Sequence, residues 1–320
     1  MLSQRKFFIL VGLVLLTIPA GAGPIVDLLS TGSQQFGQMD LATGVFSAIA
    51  PIPATIQYLV PASNGSLLTM SFDGNLDTIN RTTGAVSVIG PTGFADCTTP
   101  TTPTCGPNSQ LTLGSAGGTI YATDFVNNLY TVNPNTGKAT LIGSTGIPAV
   151  PFIPASTNPD GSFNFYDENI FGLGGKVYAN FDAATFDPAT SVTTTVIADA
   201  LYQIDPSTGH ATKVAPTDLG LDTILSLNGT VYGFSGTTNQ VVTLDLTNGA
   251  TSIVSDIDPA AGLVGGAAPA SIPEPSSVAF VGIGLIAVVD RRHCKRNASL
   301  KSIGCNRREL FPAANSAQRG

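Results

Sequence analysis

One sequence motif occurs five times, and this repetition restricts the possible folds more than any other feature of the chain. The stretch LYTVNPNTGKATLIG (129–143) returns as LYQIDPSTGHATKVA (201–215), and three further copies align on the glycine of the turn. Before and after that turn, apolar residues alternate with polar ones, which is the period of a β-strand and not of a helix. The five marker glycines are Gly44, Gly84, Gly137, Gly209 and Gly249.

The turn itself predicts how the two strands are joined. In NPNTG (133–137) the proline presets φ, the asparagine side chain caps the turn, and the glycine accepts a left-handed conformation. Each copy is therefore predicted to be a β-hairpin.

A second phrase precedes four of the hairpins and predicts two more strands for each unit. Units without long insertions then repeat every 40 residues or so, as Gly44 to Gly84 and Gly209 to Gly249 show. Four short antiparallel strands at this period are typical of β-propeller blades, which must stack because one blade cannot bury both faces. The hairpins also resemble the NPxTG repeats of many bacterial propeller proteins, a likeness that implies architecture and no activity. The second phrase reads NGSLLTM (64–70), GGTIYAT (117–123), GGKVYAN (174–180) and NGTVYGF (228–234).

We therefore expect an all-β fold, a single five-bladed β-propeller of four-stranded blades over residues 23–268. The first hairpin lacks its upstream strands, and AGLVGGAA (261–268) is a strand-like segment without a blade. Pairing of the N-terminal and C-terminal strands in one shared blade would close the ring and remove both exposed edges. A six-bladed ring, with an irregular extra blade from the 160s to the 190s, is the alternative, and a β-solenoid or sandwich is another.

Two wider spacings, of 53 and 72 residues between marker glycines, indicate insertions in the repeat. Propeller function usually resides in such loops. We therefore expect a ligand, if there is one, at DCTTPTTPTCGP (96–107), IPAVPFIPASTNPDGSF (147–163) or NFDAATFDPATSVTTTVIADA (180–200).

The N-terminus has the pattern of a secretory signal peptide. Arg5 and Lys6 precede an apolar run over 7–16, and small residues follow up to Ala22. This order predicts a signal-peptide helix over residues 1–22, cleavage after Ala22, and export.

The C-terminal region has the pattern of a stop-transfer segment. An apolar run over 276–289 is followed by a cluster of basic residues, which favours a membrane helix with the basic side in the cytoplasm. The run is shorter than the roughly 20 residues that usually cross a bilayer. The basic cluster consists of Arg291, Arg292, Lys295 and Arg296.

The order of Pro273-Glu274-Pro275, the apolar run and the basic cluster resembles a PEP-CTERM sorting signal, here over residues 269–296. The resemblance implies recognition by an exosortase-type processing peptidase and cleavage near the tripeptide. It also implies a membrane anchor before processing and release to the cell surface or an exopolysaccharide matrix afterwards. The tail over 297–320 is predicted to be disordered.

The exported part is strongly acidic. Between residues 24 and 272 the chain has four lysines and arginines against 18 aspartates and glutamates. Such a surface repels phosphate backbones, which argues against nucleic acid as a partner. Divalent cations and basic surfaces are less disfavoured.

Cys97 and Cys105 are the two cysteines of the exported part. In an oxidising compartment they predict one local disulfide, although two free thiols or a metal-binding pair are alternatives. Cys294 and Cys305 lie on the cytoplasmic or discarded side and should stay reduced.

The sequence offers little for catalysis. His210 is the exported part's histidine, and it occupies a turn position that other copies fill with lysine or alanine, so a solvated turn residue is expected. Glu168 is its glutamate, and neighbouring Asp167 would point to the opposite face of a strand. The chain has no tryptophan for stacking on a sugar, although Phe163, Phe165, Tyr166 and Phe181 could replace it.

A calcium site is the candidate for an ion, because NPDGSFNFYDEN (158–169) collects oxygen ligands in one segment. The candidate ligands are Asp160, Asn164, Asp167 and Glu168. Asp-Gly is also a common hairpin turn, and we expect that structural role here, with no cofactor.

Together these features predict an exported, non-catalytic propeller, displayed at the cell surface or in a matrix, that binds polysaccharide or another surface protein. A secreted carbohydrate-active hydrolase or lyase on the same scaffold is the alternative. A purely structural surface protein is a third class.

Overall fold

The computed structural model describes residues 23–53, 56–94, 110–148, 163–187, 189–217, 219–262 and 264–269. All of them belong to one of the two compact units into which the chain divides, the unit that ends at Ala270. The predicted signal peptide, membrane segment and tail lie outside these ranges. So do the following predicted site residues: Cys97, Cys105, Asp160, Pro273, Glu274, Pro275, Arg291, Arg292, Lys295 and Arg296.

The described chain is all-β, which confirms the predicted class. It forms twenty strands and, within these ranges, no helix, and therefore none that could cross a membrane. β-branched and other apolar residues account for the strands: inner strands such as Leu67–Ser71 are buried on both faces, whereas outer strands such as Val86–Pro91 also have exposed residues.

The strands form curled sheets in chain order. One sheet has the order β20-β1-β2-β3, from β1 (Ile25–Ser30), β2 (Gln35–Asp40), β3 (Phe46–Pro51) and β20 (Val264–Pro269). The next runs from β4 (Ile56–Pro61) through β5 (Leu67–Ser71) and β6 (Asn75–Ile79) to β7 (Val86–Pro91). Another runs from β16 (Thr223–Leu227) through β17 (Thr230–Ser235) and β18 (Gln240–Leu244) to β19 (Thr251–Asp256).

The remaining eight strands form one sheet of two antiparallel halves. The first half is β8 (Gln110–Ala116), β9 (Thr119–Asp124), β10 (Asn128–Val132) and β11 (Ala139–Ser144). The second half is β12 (Phe163–Leu173), β13 (Lys176–Asp187), β14 (Val192–Ile204) and β15 (Ala211–Pro216). The halves meet where β8 runs parallel to β12, with Ser115 opposite Phe171.

The predicted hairpins are confirmed. The strand pairs β2–β3, β6–β7, β10–β11, β14–β15 and β18–β19 are antiparallel, and each is joined by the repeated turn. The marker glycines have φ between +67° and +84°. At Gly249 a side chain would also collide with the preceding outer strand, because a Cβ there would lie 1.8 Å from the carbonyl oxygen of Pro216. The glycine is therefore required twice, for φ and for close packing.

The two ends of the described chain pair with each other, as the sequence predicts. Strand β1 is antiparallel to β20, with Val26 opposite Pro269 and Asp27 opposite Ala268. This pairing joins the N-terminal and C-terminal strands in one sheet.

The core lies between neighbouring groups of four strands. One apolar cluster, which contains Leu28 and Phe234, joins the sheet of β1 to that of β16–β19. Another, which contains Met70 and Ile120, joins β4–β7 to β8–β10. Equivalent clusters fill the spaces between the other neighbouring groups. The arrangement is therefore β-propeller-like, with sheets that bury their faces against one another.

The third predicted insertion is not a loop. Residues 180–187 lie in β13 and residues 192–200 lie in β14; these strands are 12 and 13 residues long, and β12 beside them has 11. These strands share a sheet with β15 and, through the contact of β12 with β8, with β9 to β11. The physical reason is the run of β-branched residues in SVTTTV, which favours an extended hairpin.

Candidate functional site

One cavity is lined by five strands that belong to different parts of the chain. Strands β4, β8, β12, β16 and β20 all contribute to its wall, and its volume is about 170 Å³. Each of these strands lies at one end of a group of four antiparallel strands, and in a β-propeller such strands converge on the central channel. It is the candidate functional site.

Small residues bring the wall strands close together. A Cβ at Gly266 would lie 2.4 Å from the backbone nitrogen of Leu59, and one at Gly172 would lie 2.5 Å from the Cα of Ala116. Because glycine permits such approaches between strands, the cavity stays narrow.

Three polar side chains of the wall donate to backbone carbonyls, two of them on neighbouring wall strands and one just before β16. Asn169 Nδ2 donates to the carbonyl oxygen of Leu221 at 2.7 Å. Thr223 Oγ1 donates to the carbonyl oxygen of Val264 at 3.0 Å. The hydroxyl of Ser226 donates to the carbonyl oxygen of Gly172. These groups hold the wall together, since a buried polar group is costly when unpaired.

Tyr58 is the wall residue with an unusual backbone. Its φ is +63°, a region that a bulky residue rarely adopts, and it lies where the register of β4 shifts between Gln57 and Val60. The bulge turns an aromatic residue to the cavity, whose other described wall residues are neutral.

Glu168 immediately precedes a wall residue but is not part of the wall. It is 4% exposed, its Oε2 accepts a hydrogen bond from the hydroxyl of Thr123, and its Oε1 finds no partner among the described residues. Burial raises the pKa of Glu168 to about 8; the bond from Thr123 opposes this shift and the charge of Asp124 adds to it. At neutral pH this carboxyl is therefore mainly protonated.

Two further carboxyls, those of Asp124 and Asp222, do not line the cavity. Asp124 is fully buried and accepts from the backbone N–H groups of Val126 at 3.1 Å and Asn128 at 2.8 Å, and from the Tyr130 hydroxyl at 2.8 Å. Asp222 precedes the wall residue Thr223, and burial raises its pKa to about 6.

His210 lies where the sequence predicts. It follows the marker glycine of its turn and is exposed, and its backbone N–H donates to Thr208 Oγ1 at 3.3 Å. The prediction that His210 is a solvated residue of the turn is confirmed.

The calcium candidates are not brought together in the described part of the chain. Asp160 lies outside it, Asn164 and Asp167 are described only by their backbone in β12, and Glu168 is bonded to Thr123. Within the described ranges, no group of three or more His, Cys, Asp or Glu side chains is arranged to hold a metal.

A buried ion pair that the sequence analysis missed joins the first and last strands of the described chain, β1 and β20. Arg81 forms an ion pair with Asp27, which is fully buried, and donates from Nη1 to the carbonyl oxygen of Pro269 at 3.0 Å. Its Nε donates to the carbonyl oxygen of Gly65 at 3.3 Å, and Gln38 Nε2 donates to Asp27 at 3.0 Å. We call these five residues the closure clamp.

The sequence does contain a signal for the closure clamp. Arg81 replaces the proline or leucine that follows the first Asp or Asn in the other turns, such as Pro134 and Pro206. Asp27 occupies a position that other second strands fill with leucine or tyrosine, such as Leu68 and Tyr121. A basic and an acidic residue that both depart from the repeat are candidates for an ion pair with each other.

This chain has limited similarity to known proteins. No family model matches the chain, and no curated protein matches it. The structure of a nidogen/laminin complex is similar with a TM-score of 0.45 and 13% identity, over 78% of this chain and 99% of that chain. A protein of unknown function from Bacteroides caccae is similar with a TM-score of 0.40 and 10% identity, over 78% and 100%. A putative gluconolactonase is similar with a TM-score of 0.38 and 11% identity, over 72% and 77%.

Proposed function

We propose that this chain is a non-catalytic five-bladed β-propeller, exported and displayed at the cell surface or in an exopolysaccharide matrix, where it binds polysaccharide or another surface protein. The observation that carries the non-catalytic part is the composition of the cavity wall. Among its described lining residues there is no carboxylate, histidine, lysine or arginine.

The proposal of five blades is supported by the strand order. The five wall strands each begin or complete a group of four, with β20 taking the place of a first strand in the sheet of β1. The apolar clusters between consecutive groups are those expected of neighbouring blades.

A hydrolase or lyase on this scaffold would need groups that transfer protons to a substrate in the cavity. Glu168 and Asp222 both have a raised pKa and each immediately precedes a wall residue, but neither lines the cavity, and the Oε2 of Glu168 is bonded to Thr123 on β9. The neutral side chains of Asn169, Thr223 and Ser226 donate to backbone carbonyls of neighbouring segments. The wall therefore favours a scaffold over an enzyme.

Export and sorting are supported by the two ends of the sequence. A signal peptide over 1–22 and the PEP-CTERM-like segment over 269–296 are the pair that an exosortase-type peptidase would require. Export would also place Cys97 and Cys105 in an oxidising compartment, where they form the proposed disulfide.

The experiment is intact-mass analysis and fractionation of the chain expressed in its own host, beside a variant in which Pro273, Glu274 and Pro275 are alanine. We expect the wild type to lose about 45 to 48 C-terminal residues and reach the surface, a length that follows from the motif's place at 273–275 in the 320-residue chain. The variant should remain in the membrane. If both chains stay uncleaved in the inner membrane, the sorting proposal is wrong.

Binding is tested separately with the wild-type chain on arrays of surface polysaccharides and surface-protein fractions. A matched measurement of hydrolysis or elimination on the same polysaccharides tests the enzyme alternative. Turnover that is lost in Glu168→Gln would contradict the non-catalytic assignment.

A further inference from the structure

A second pocket shares none of its described lining residues with the central cavity. It lies between the end of β7 and the neighbouring strands β10 and β11, and its volume is about 480 Å³. This volume is within the roughly 300–1,000 Å³ typical of small-molecule sites. Its lining includes Thr92, Phe94, Tyr130, Lys138 and Ala139, and we call it the Phe94 pocket.

Two aromatic rings line the Phe94 pocket. The ring centres of Phe94 and Tyr130 are 5.0 Å apart, and the rings meet edge to face at 77°. Both side chains are half-buried. Phe94 packs against the apolar cluster that contains Met70 and Ile120, and the Tyr130 hydroxyl donates to Asp124 Oδ2 at 2.8 Å. The two rings are therefore held in place without a ligand, which lowers the cost of binding one.

The next junction of the repeat has the same local structure but is filled. Thr92 Oγ1 accepts a hydrogen bond from the backbone N–H of Phe94 at 3.2 Å. At the next junction, Thr145 Oγ1 accepts from the backbone N–H of Ile147 at the same distance of 3.2 Å. Ile147, which corresponds to Phe94, is only 5% exposed and packs in an apolar cluster with Phe181 of β13.

Asp124 corresponds to Phe181 in the group of strands beside the Phe94 pocket. Asp124 directly follows the residue that pairs with Leu129. Phe181 directly follows the residue that pairs with Leu201, and the two leucines hold the same place in the repeat. Strand β9 ends at Asp124, whereas β13 continues past Phe181. The side chains that cover Ile147 therefore have no counterpart in the described strands β9 and β10.

Lys138 is the one charged side chain among the described lining residues of the Phe94 pocket. It is exposed, and it occupies the position after the marker glycine that Ala85 and Ala250 fill in other copies. The carboxylate of Asp124 is fully buried and accepts from two backbone N–H groups, a side-chain amide and the Tyr130 hydroxyl. Because these donors compensate that carboxylate, Lys138 determines the charge that the pocket favours in a ligand, which is negative.

We propose that the Phe94 pocket binds one carboxylate-bearing sugar ring of an acidic polysaccharide. The apolar part of the sugar contacts the two aromatic rings, and its carboxylate accepts a hydrogen bond from the ammonium group of Lys138. This inference rests on the proposed function, of which it specifies the class of polysaccharide.

The acidic surface of the protein weakens this binding at long range but does not remove its selectivity. Between residues 24 and 272 there are four lysines and arginines against 18 aspartates and glutamates, so distant charges repel an acidic chain. At physiological ionic strength, charges more than about 8 Å apart are largely screened, whereas a direct contact with Lys138 is not. The preference for a carboxylate is therefore local, and a single substitution should remove it.

The test compares acidic sugars with their neutral counterparts. Surface plasmon resonance on the immobilised full chain in mild detergent measures affinity for oligosaccharides of galacturonate, mannuronate and guluronate, each beside its methyl ester. The ester keeps the sugar ring and removes the charge. A chelator is present, so that no divalent cation bridges the acidic protein and the acidic sugar. We expect at least one of the acids to bind about three- to tenfold more tightly than its ester.

Three variants assign this preference to the Phe94 pocket. Lys138→Met should lower the affinity for the acid to that for the ester and leave the ester unchanged, because methionine keeps most of the apolar stem. Phe94→Ala should weaken both about tenfold, because the ring contacts the part that they share. Lys213→Met removes an exposed lysine from another outer strand, β15, and should keep the wild-type ratio of the two affinities. Equal thermal stability of the two lysine variants would show that both are folded.

Several results would overturn the proposal. An acid-to-ester ratio that is the same in Lys138→Met as in the wild type would show that another surface recognises the carboxylate. A wild type that binds acid and ester equally would refute the inference and leave the proposed binding of polysaccharide intact. A chain that binds oligoglutamate but none of the oligosaccharides would refute both this inference and the polysaccharide part of the proposed function, whereas export and sorting are tested by the intact mass.

Discussion

Replacement of Arg81 by methionine should destabilise the molecule more than a change to any of the other three basic residues between positions 24 and 272. Methionine keeps most of the apolar stem but removes the ion pair with Asp27 and the bonds to Pro269 and Gly65. Asp27 is fully buried and would retain only the amide of Gln38 as a described side-chain partner. The variant therefore leaves a carboxylate without a counter-charge in the interior.

The magnitude follows from the burial of the two partners. Removal of one member of a buried ion pair costs about 3–5 kcal/mol, because the remaining charge stays desolvated. The Arg81 side chain is 19% exposed, so water can reach part of the vacated space and the lower end applies. We expect a loss of about 3 kcal/mol, which for a domain of this size lowers Tm by roughly 6–12 °C.

The assay is denaturant unfolding of the wild type, Arg81→Met, Asp27→Asn and the double variant. If the pair is coupled, the double variant should lose less than the sum of the two single losses, because the Asp27→Asn substitution removes the unpaired charge. Hydrogen exchange should show the largest loss of protection in β1 and β20, whose contact the closure clamp holds. Lys213→Met is the control, since Lys213 is an exposed residue on the outer strand β15.

Three results would refute this reasoning. A loss below about 1 kcal/mol would be that of a surface pair, so the buried charge would not be decisive. Strict additivity of Arg81→Met and Asp27→Asn would show that the two groups do not act on each other. Uniform loss of protection across all sheets would locate the effect elsewhere than at the chain ends.

Two further predictions concern Glu168 and Gly249. The pKa of Glu168 is raised in the folded state to about 8 from its ordinary value of 4.5, so its contribution is fully present below about pH 4.5 and is lost as pH rises towards 8. Glu168→Gln should therefore flatten the fall in unfolding free energy between about pH 5 and pH 9, and parallel curves for the two proteins would contradict this. Gly249→Ala should cost more than Gly65→Ala, because both have φ near +80° but only at Gly249 would a Cβ meet a neighbouring backbone, at 1.8 Å. We expect about 1 kcal/mol for Gly65→Ala and at least twice that for Gly249→Ala in thermal unfolding, and equal losses would show that φ alone matters.

Much of the fold could be predicted because it is written in short-range patterns that repeat. The hairpin turns, the second strands and the pairing of β1 with β20 all follow from alternation and turn residues, which act within a few positions. The segment over 180–200 interrupts the repeat, and for that reason the sequence favours a ligand loop there. Its threonines and valines instead extend the hairpin of β13 and β14. When only the repeat is considered, this longer hairpin is mistaken for an inserted loop.

The candidate site was less predictable, because its wall comes from five strands that are distant in the sequence. Nothing in Asn169 or Thr223 alone indicates that their side chains bond to Leu221 and Val264. The burial of Glu168 also depends on β9, through Thr123, and not on its own neighbours in the chain. Sequence patterns describe one strand at a time, whereas the wall and the closure clamp depend on contacts between sheets.

The closure clamp and the proposed sorting signal are adjacent in the sequence, at the end of β20. Pro269, whose carbonyl Arg81 binds, is followed by only three residues before Pro273. If the chain is cut near Pro273, as proposed, every residue that closes the ring stays on the released side, including β20 and its partners on β1. A strand placed at the end of the chain would ordinarily fray, because its last residues lack a neighbour on one side. Here a buried ion pair and a backbone bond hold that end, so processing beyond Pro269 would not need to weaken the released domain.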